Sequence, residues 1–251
     1  MAVQNSLQRS RGNQRLGISA YLTADAVKNQ INQVVGGKDG QRFISAIVSA
    51  VNTNPALQEC TNQSILSGAL LGESLKLSPS PQLGQYYLVP FNDKNKGKVA
   101  QFQLGYKGYI QLAIRSGQYK KLNVLAIKEG ELIRFDPLNE EIEVRLIEDE
   151  EEREQANTIG YYAMFEYTNG FRKAIYWSKR KMEAHALKYS KGYQAKKGYT
   201  FWEKDFDGMA YKTMLRQLIS KWGIMSIDMA SAIDSDMAVI NEDGTKDYVD
   251  N

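Results

Sequence analysis

Leu83 to Gly117 gathers the residues best suited to meeting a polyanion. The stretch reads LGQYYLVPFNDKNKGKVAQFQLGYKGYIQLAIRSG. An aromatic strand, Gly84 to Phe91, leads through a turn bearing Lys94, Lys96 and Lys98 into a return strand, Val99 to Leu104. Gly105 then opens a helix carrying Tyr106, Lys107, Tyr109 and, further on, Arg115. Ammonium groups neutralise phosphates, a helix N-terminus offers backbone N–H groups to an anion, and aromatic faces stack on bases. An ordinary hairpin and helix with a solvated lysine turn explains the same residue types. Composition leaves both readings open.

A second basic block lies downstream. Phe201 to Trp222 has helical spacing, with Trp202, Phe206, Ala210, Met214 and Leu218 forming its apolar stripe. Lys212 and Arg216 fall four residues apart on a different face, with Asp205 near them in angle. Local ion pairing on a solvated face is the simple alternative. The net charge is only +3, but the charges segregate. Basic residues concentrate between Lys94 and Arg134 and again between Arg172 and Lys221. Between them runs an acidic segment, Asp136 to Glu154, and the C-terminus is acidic as well. The pattern predicts one basic surface and one acidic surface.

Missing chemistry narrows the choice. Gly37-Lys38 and Gly97-Lys98 lack the upstream glycine and following hydroxyl of a phosphate-binding loop. One cysteine, Cys60, and one histidine, His185, cannot supply a zinc site of the usual kind or an internal disulfide, and fit a reducing cytosol. No nucleophile elbow accompanies His185. Asp136 with Glu141 and Glu143 loosely suggests a metal-dependent nuclease, although Arg145 stands where a lysine is expected. No apolar run is long enough to span a bilayer, and the N-terminus has no signal-peptide core.

The elements that must position these residues are mixed. Helical spacing marks Tyr21 to Val35, Gln41 to Val51 and a segment capped by Asn62 or Ser64 that runs to Leu75. Strands are expected at Leu122 to Ile127, Leu132 to Phe135 and Glu141 to Ile147. Two more, Thr158 to Tyr167 and Phe171 to Trp177, flank the turn Thr168-Asn-Gly170. Ser178 caps a helix from Lys179 to Tyr189, and a glycine-punctuated basic loop, Lys191 to Gly198, precedes the long last helix. The fold class is α+β, with antiparallel hairpins and a small sheet packed against helices. Residues 1–20 read as a flexible arm, 21–233 as one core and 234–251 as an exposed acidic tail.

The succession Gly84 to Gln118, with Pro-Phe closing the aromatic strand, then Gly-Tyr-Lys-Gly and Arg-Ser-Gly-Gln, resembles the RecT-type single-strand annealing proteins of phages and prophages. Trp202, Met209-Ala-Tyr-Lys-Thr213, Arg216 and Lys221 match the same family in the same order. The resemblance spans about residues 40 to 233. It implies an oligomer-forming DNA-binding protein of the bacterial cytoplasm that anneals complementary strands without ATP, in a ring or helical filament. It also implies a partner 5′-3′ exonuclease, with a host single-strand-binding protein as a further candidate partner. No catalytic residue, metal or required cofactor is expected, Mg²⁺ entering only as a modulator of DNA binding. The expected groove has Lys107 and Arg115 on one wall and Lys212, Arg216 and Lys221 on the other. Lys94, Lys96 and Lys98 are assigned to a second-strand or inter-protomer contact. Tyr106, Tyr109 and Trp202 either stack on bases or pack in the core. A nuclease and a passive single-strand-binding protein are the alternatives.

Overall fold

The computed structural model describes residues 16–36 and 38–248. Most of the arm expected over residues 1–20 therefore lies outside the described residues, and Ile18 already begins a helix. A helical layer comes first: α1 (Ile18–Thr23), α2 (Asp25–Val35), α3 (Gly40–Thr53), a 3-10 turn (Pro55–Glu59) and α4 (Asn62–Ser74). The Thr61 hydroxyl accepts the Ser64 N–H, so the α4 cap falls one residue before the expected Asn62. Ile31, Phe43, Ile47, Ile65 and Leu66 seal this layer against the rest of the core.

β1 (Tyr86–Asp93) and β2 (Gly97–Leu104) form the first hairpin, and α5 (Tyr106–Ser116) follows directly. Gly117 ends α5 with φ +68°, a left-handed conformation that glycine adopts without penalty. Next come β3 (Tyr119–Lys128), β4 (Leu132–Asp136), β5 (Glu141–Val144), α6 (Glu150–Gln155), β6 (Thr158–Tyr167) and β7 (Arg172–Ser178). The chain finishes with α7 (Lys179–Tyr189), α8 (Lys191–Gln194), α9 (Phe201–Lys204), α10 (Phe206–Trp222), α11 (Ile227–Ser235), β8 (Ala238–Ile240) and β9 (Lys246–Tyr248).

The strands make three antiparallel sheets in the orders β1-β2-β8-β9, β3-β6-β7 and β4-β5. Alternation along β6 divides its side chains between two environments. Tyr161, Ala163 and Phe165 join the main core with α5, α7 and α10, while Tyr162 and Met164 pack with Tyr176 beneath the β4-β5 hairpin. The α+β class holds, with the strands distributed over three sheets.

Three expectations change. The helix read as continuous from Phe201 to Trp222 breaks at Asp205, whose non-helical backbone and carboxylate, accepting the Gly208 N–H, cap α10. The acidic run forms the short helix α6, capped by Asp149 and stabilised by acids in its first turn. The segment read as an exposed tail from Asp234 instead builds structure. Ala238, Val239 and Ile240 are buried as β8, which extends the first sheet through Phe102 opposite Ala238.

Candidate nucleic-acid interface

The start of α5 is built on close backbone approach. The Gly105 N–H donates to the Gln85 carbonyl, and a Cβ at Gly105 would fall 2.1 Å from the Gly84 oxygen. A Cβ at Gly108 would fall 2.1 Å from the Gln85 oxygen. The glycines of the Gly-Tyr-Lys-Gly motif thus let the helix lie directly on the chain entering β1. Gly105 brings no capping side chain and the first turn carries no acid. Lys107 lies exposed there, its aliphatic stem near Gly84 and its ammonium 6.0 Å from the Tyr106 ring. Tyr106 turns inward and meets Tyr211 edge to face, with ring centroids 5.7 Å apart. Gln111 and Arg115 continue the exposed stripe, Arg115 about 12 Å along the axis from Lys107. Arg115 also caps α4, donating to the Leu75 carbonyl at 2.5 Å and the Lys76 carbonyl at 3.3 Å.

Other expected contacts are not brought to this surface. Lys212 is buried, and its ammonium pairs with Asp236 at 2.9 Å. Arg216 pairs with the other oxygen of the same carboxylate. Asp236 is itself fully enclosed and also accepts the Leu104 N–H at 2.9 Å. Two cations assigned to a groove wall therefore hold a carboxylate from the segment read as a tail. Tyr109 is fully buried, and Trp202 is 7% exposed among His185, Tyr193 and Phe206. Both are core residues here, and core packing was the stated alternative for each.

The lysine turn is exposed but partly committed. Asp93 accepts the Asn95 and Lys96 N–H groups, and these bonds hold its carboxyl below the usual range. Lys96 pairs with Asp247 and Lys98 with Glu59, while Lys94 makes no ion pair among the described residues. Lys221 lies at the far end of α10, its ammonium 5.0 Å from the Trp222 ring. The nuclease carboxylates are no closer to chemistry. Asp136 accepts from Leu138, Asn139 and Arg134, and no acidic, histidine or cysteine cluster fit for a metal occurs among the described residues.

One contributor was not assigned in advance. The Phe201 ring sits 5.5 Å from Tyr87, which brings the loop from Lys191 to Lys204 against the start of α5. Lys191, Lys196, Lys197 and Lys204 are exposed and make no ion pair among the described residues. Tyr199 and Phe201 are exposed with them. The loop is shaped by Glu203, which accepts the Gly198 and Thr200 N–H groups, and by Gly198 at φ +75°. Its basic, glycine-punctuated composition was legible in sequence, but its neighbour across the fold was not. Burial, with Asp205 and Tyr106 nearby, pushes the Tyr87 hydroxyl above its ordinary pKa, so it remains a neutral donor.

Comparison with known proteins places this geometry in context. A sequence model described as the RecT family matches residues 41–250. The chain is 40% identical over 254 residues to a Bacillus subtilis (strain 168) protein named "Uncharacterized protein YqaK", covering 99% of this chain and 82% of that one. It is 28% identical over 240 residues to "Protein RecT" of Escherichia coli (strain K12), covering 92% of this chain and 86% of that one.

Proposed function

We infer the function from the fact that this chain belongs to the RecT family. Membership implies a single-strand annealing recombination protein, which binds DNA and is not an enzyme. The finer reading is that a single strand lies across the start of α5 and the Lys191–Lys204 loop. One observation carries it: the Phe201–Tyr87 contact brings the loop bearing Lys191, Lys196, Lys197 and Lys204, exposed and without an ion pair among the described residues, to the start of α5, where Lys107 is exposed too. Those cations release counterions from the phosphates, and contact with the backbone leaves base edges open to a complement. The uncapped N–H groups of α5 favour the same charge.

Arg115 and Lys94 extend the cationic surface at its margins. Lys96 and Lys98 can exchange exposed carboxylates for phosphates at little cost, because exposed pairs are worth about 0–1 kcal/mol. Lys221 lies elsewhere, and Lys212 and Arg216 serve this reading by fixing α10 through Asp236. Tyr106, Tyr109 and Trp202 support the surface from within. Neighbouring copies in a ring or filament would keep the strand in register, and a 5′-3′ exonuclease would supply it. A host single-strand-binding protein would meet the same strand. The step needs no cofactor, and Mg²⁺ would act only by screening phosphates.

The test is a salt titration of oligonucleotide binding. Lys107→Ala should lower the log–log slope by about 0.7, and Lys196→Ala with Lys197→Ala by about 1.4. Unchanged slopes would remove these residues from the interface. A passive binding protein would coat one oligonucleotide yet slow pairing with its complement, whereas this reading requires faster pairing without nucleotide.

A further inference from the structure

Helix α7 carries Lys179, Arg180, Lys181 and Lys188 against one acid, Glu183. None of these four cations makes an ion pair among the described residues. Glu183 is half-buried and serves another neighbour: after burial, its charge helps push the Tyr193 hydroxyl above its ordinary pKa. With about 3.6 residues per turn, exposed Arg180, Ala184, Lys188 and Lys181 share an arc of about 100°. The small Ala184 side chain at the centre lets a polyanion approach the helix closely.

Aromatic rings hold two of the cations without neutralising them. The Lys181 ammonium lies 4.3 Å from the Trp177 ring and the Lys188 ammonium 5.2 Å from the Tyr189 ring. Lys179, Arg180 and Lys181 also crowd the first turn, where the helix dipole disfavours cations and no acid is present. A local rule broken without an internal partner points to an external one. The helix adjoins the proposed strand site. His185 lies 6.5 Å from Trp202, and the adjacent Phe201 lies 5.5 Å from Tyr87 at the start of α5. Ser190 leads directly from α7 into the Lys191–Lys204 loop.

We propose that the Arg180–Lys188 face of α7 receives the phosphate backbone of the complementary strand while the first strand lies on the loop. The inference rests on the annealing reading of the loop and adds a second site to it. A first strand held by its backbone turns its bases outward, so pairing brings up a second backbone that the loop lysines do not meet. The β1-β2 turn is less suited, because Lys96 and Lys98 already hold carboxylates and the α7 cations hold none. Lys181 and Lys188 stand about 10 Å apart along the axis, three steps of a stacked strand at about 3.4 Å each. An anionic membrane would need a broad apolar face, and on α7 only Leu187 and Tyr189 are exposed large apolar side chains.

The experiment compares salt titrations of the full chain with oligothymidine alone and with oligothymidine followed by oligoadenosine. In a triple variant, Arg180→Ala with Lys181→Ala and Lys188→Ala, the oligothymidine slope should stay within about 0.3 of wild type. The slope for the annealed pair should fall by about 2.7, at about 0.9 per duplex phosphate, and pairing on the protein should slow about tenfold. Lys181→Arg with Lys188→Arg should keep both slopes, because the charge remains. All three positions are exposed, so the unfolding midpoint should not move. An equal fall in the oligothymidine slope would make α7 part of the first-strand track and overturn the proposal. So would an unchanged slope for the pair, or a triple variant whose only loss is binding to phosphatidylglycerol vesicles. Wild-type and variant chains that pair strands equally well would sink this proposal alone. A wild-type chain that holds neither oligonucleotide would remove the annealing reading and the proposal together.

Discussion

Replacing Asp236 with asparagine should destabilise the fold without removing any of the proposed phosphate contacts. The carboxylate is enclosed, with the Lys212 ammonium at 2.9 Å, Arg216 on its second oxygen and the Leu104 N–H at 2.9 Å. Asparagine keeps an acceptor for Leu104 but removes the charge. Lys212, with a side chain only 10% exposed, is then a buried cation without a counterion, whereas Arg216 at 36% can turn toward water. Breaking a buried pair from one side costs about 3–5 kcal/mol. For a chain of this size that lowers the melting temperature by about 6–20 °C, at about 2–4 °C per kcal/mol. Urea unfolding followed by circular dichroism measures it directly. Adding Lys212→Met should recover part of the loss, because the unpaired charge goes with its partner. An Asp236→Asn protein within 1 kcal/mol of wild type would refute the reasoning. So would a Lys212→Met protein of normal stability whose DNA salt slope falls, since that lysine would then be reaching phosphate.

Two further outcomes follow from local geometry. Gly108→Ala should cost about 1–3 kcal/mol in the same unfolding assay, because the new methyl meets the Gln85 carbonyl at 2.1 Å and only a backbone shift relieves it; an unaffected midpoint would show that the α5 crossing is loose. His185 packs against Trp177 and Tyr189, and burial, with Lys188 and Arg216 nearby, pushes its pKa below the usual 6.5. The unfolded chain then binds the proton first, so stability should fall as pH drops from about 6.5 toward the lowered value, and His185→Gln should flatten that slope.

What the sequence disclosed depended on the range of the interaction. The β1-β2 hairpin, the Gly105 helix start and the Ser178 cap are written within a few residues, and the fold has them near the expected places. The break at Asp205 is also local, but an uninterrupted apolar stripe masked it, since Trp202 and Phe206 stay in contact across the break at 5.1 Å. Long-range pairing was not legible. Nothing near Lys212 or Arg216 in sequence shows that Asp236, in a segment of acidic composition, will enclose itself between them. Periodicity could place both cations on one helical face, but not decide whether that face meets solvent or another part of the chain.

That distinction separates two kinds of cation that composition presents alike. Lys212 and Arg216 are matched by an enclosed carboxylate, so binding a phosphate there would first require breaking a buried network. Lys107 and the lysines of the Lys191–Lys204 loop lie in water beside aromatic side chains, and a phosphate need displace only counterions. The two kinds are nevertheless coupled through structure. Asp236 fixes α10, Phe206 of α10 packs on Trp202, and the adjacent Phe201 carries the loop to Tyr87 at the start of α5. A substitution at the buried pair can therefore weaken DNA binding by displacing the loop, with no loss in the number of phosphates met. The salt dependence separates these causes: a displaced surface lowers affinity at every salt concentration with the slope retained, whereas a lost contact lowers the slope itself.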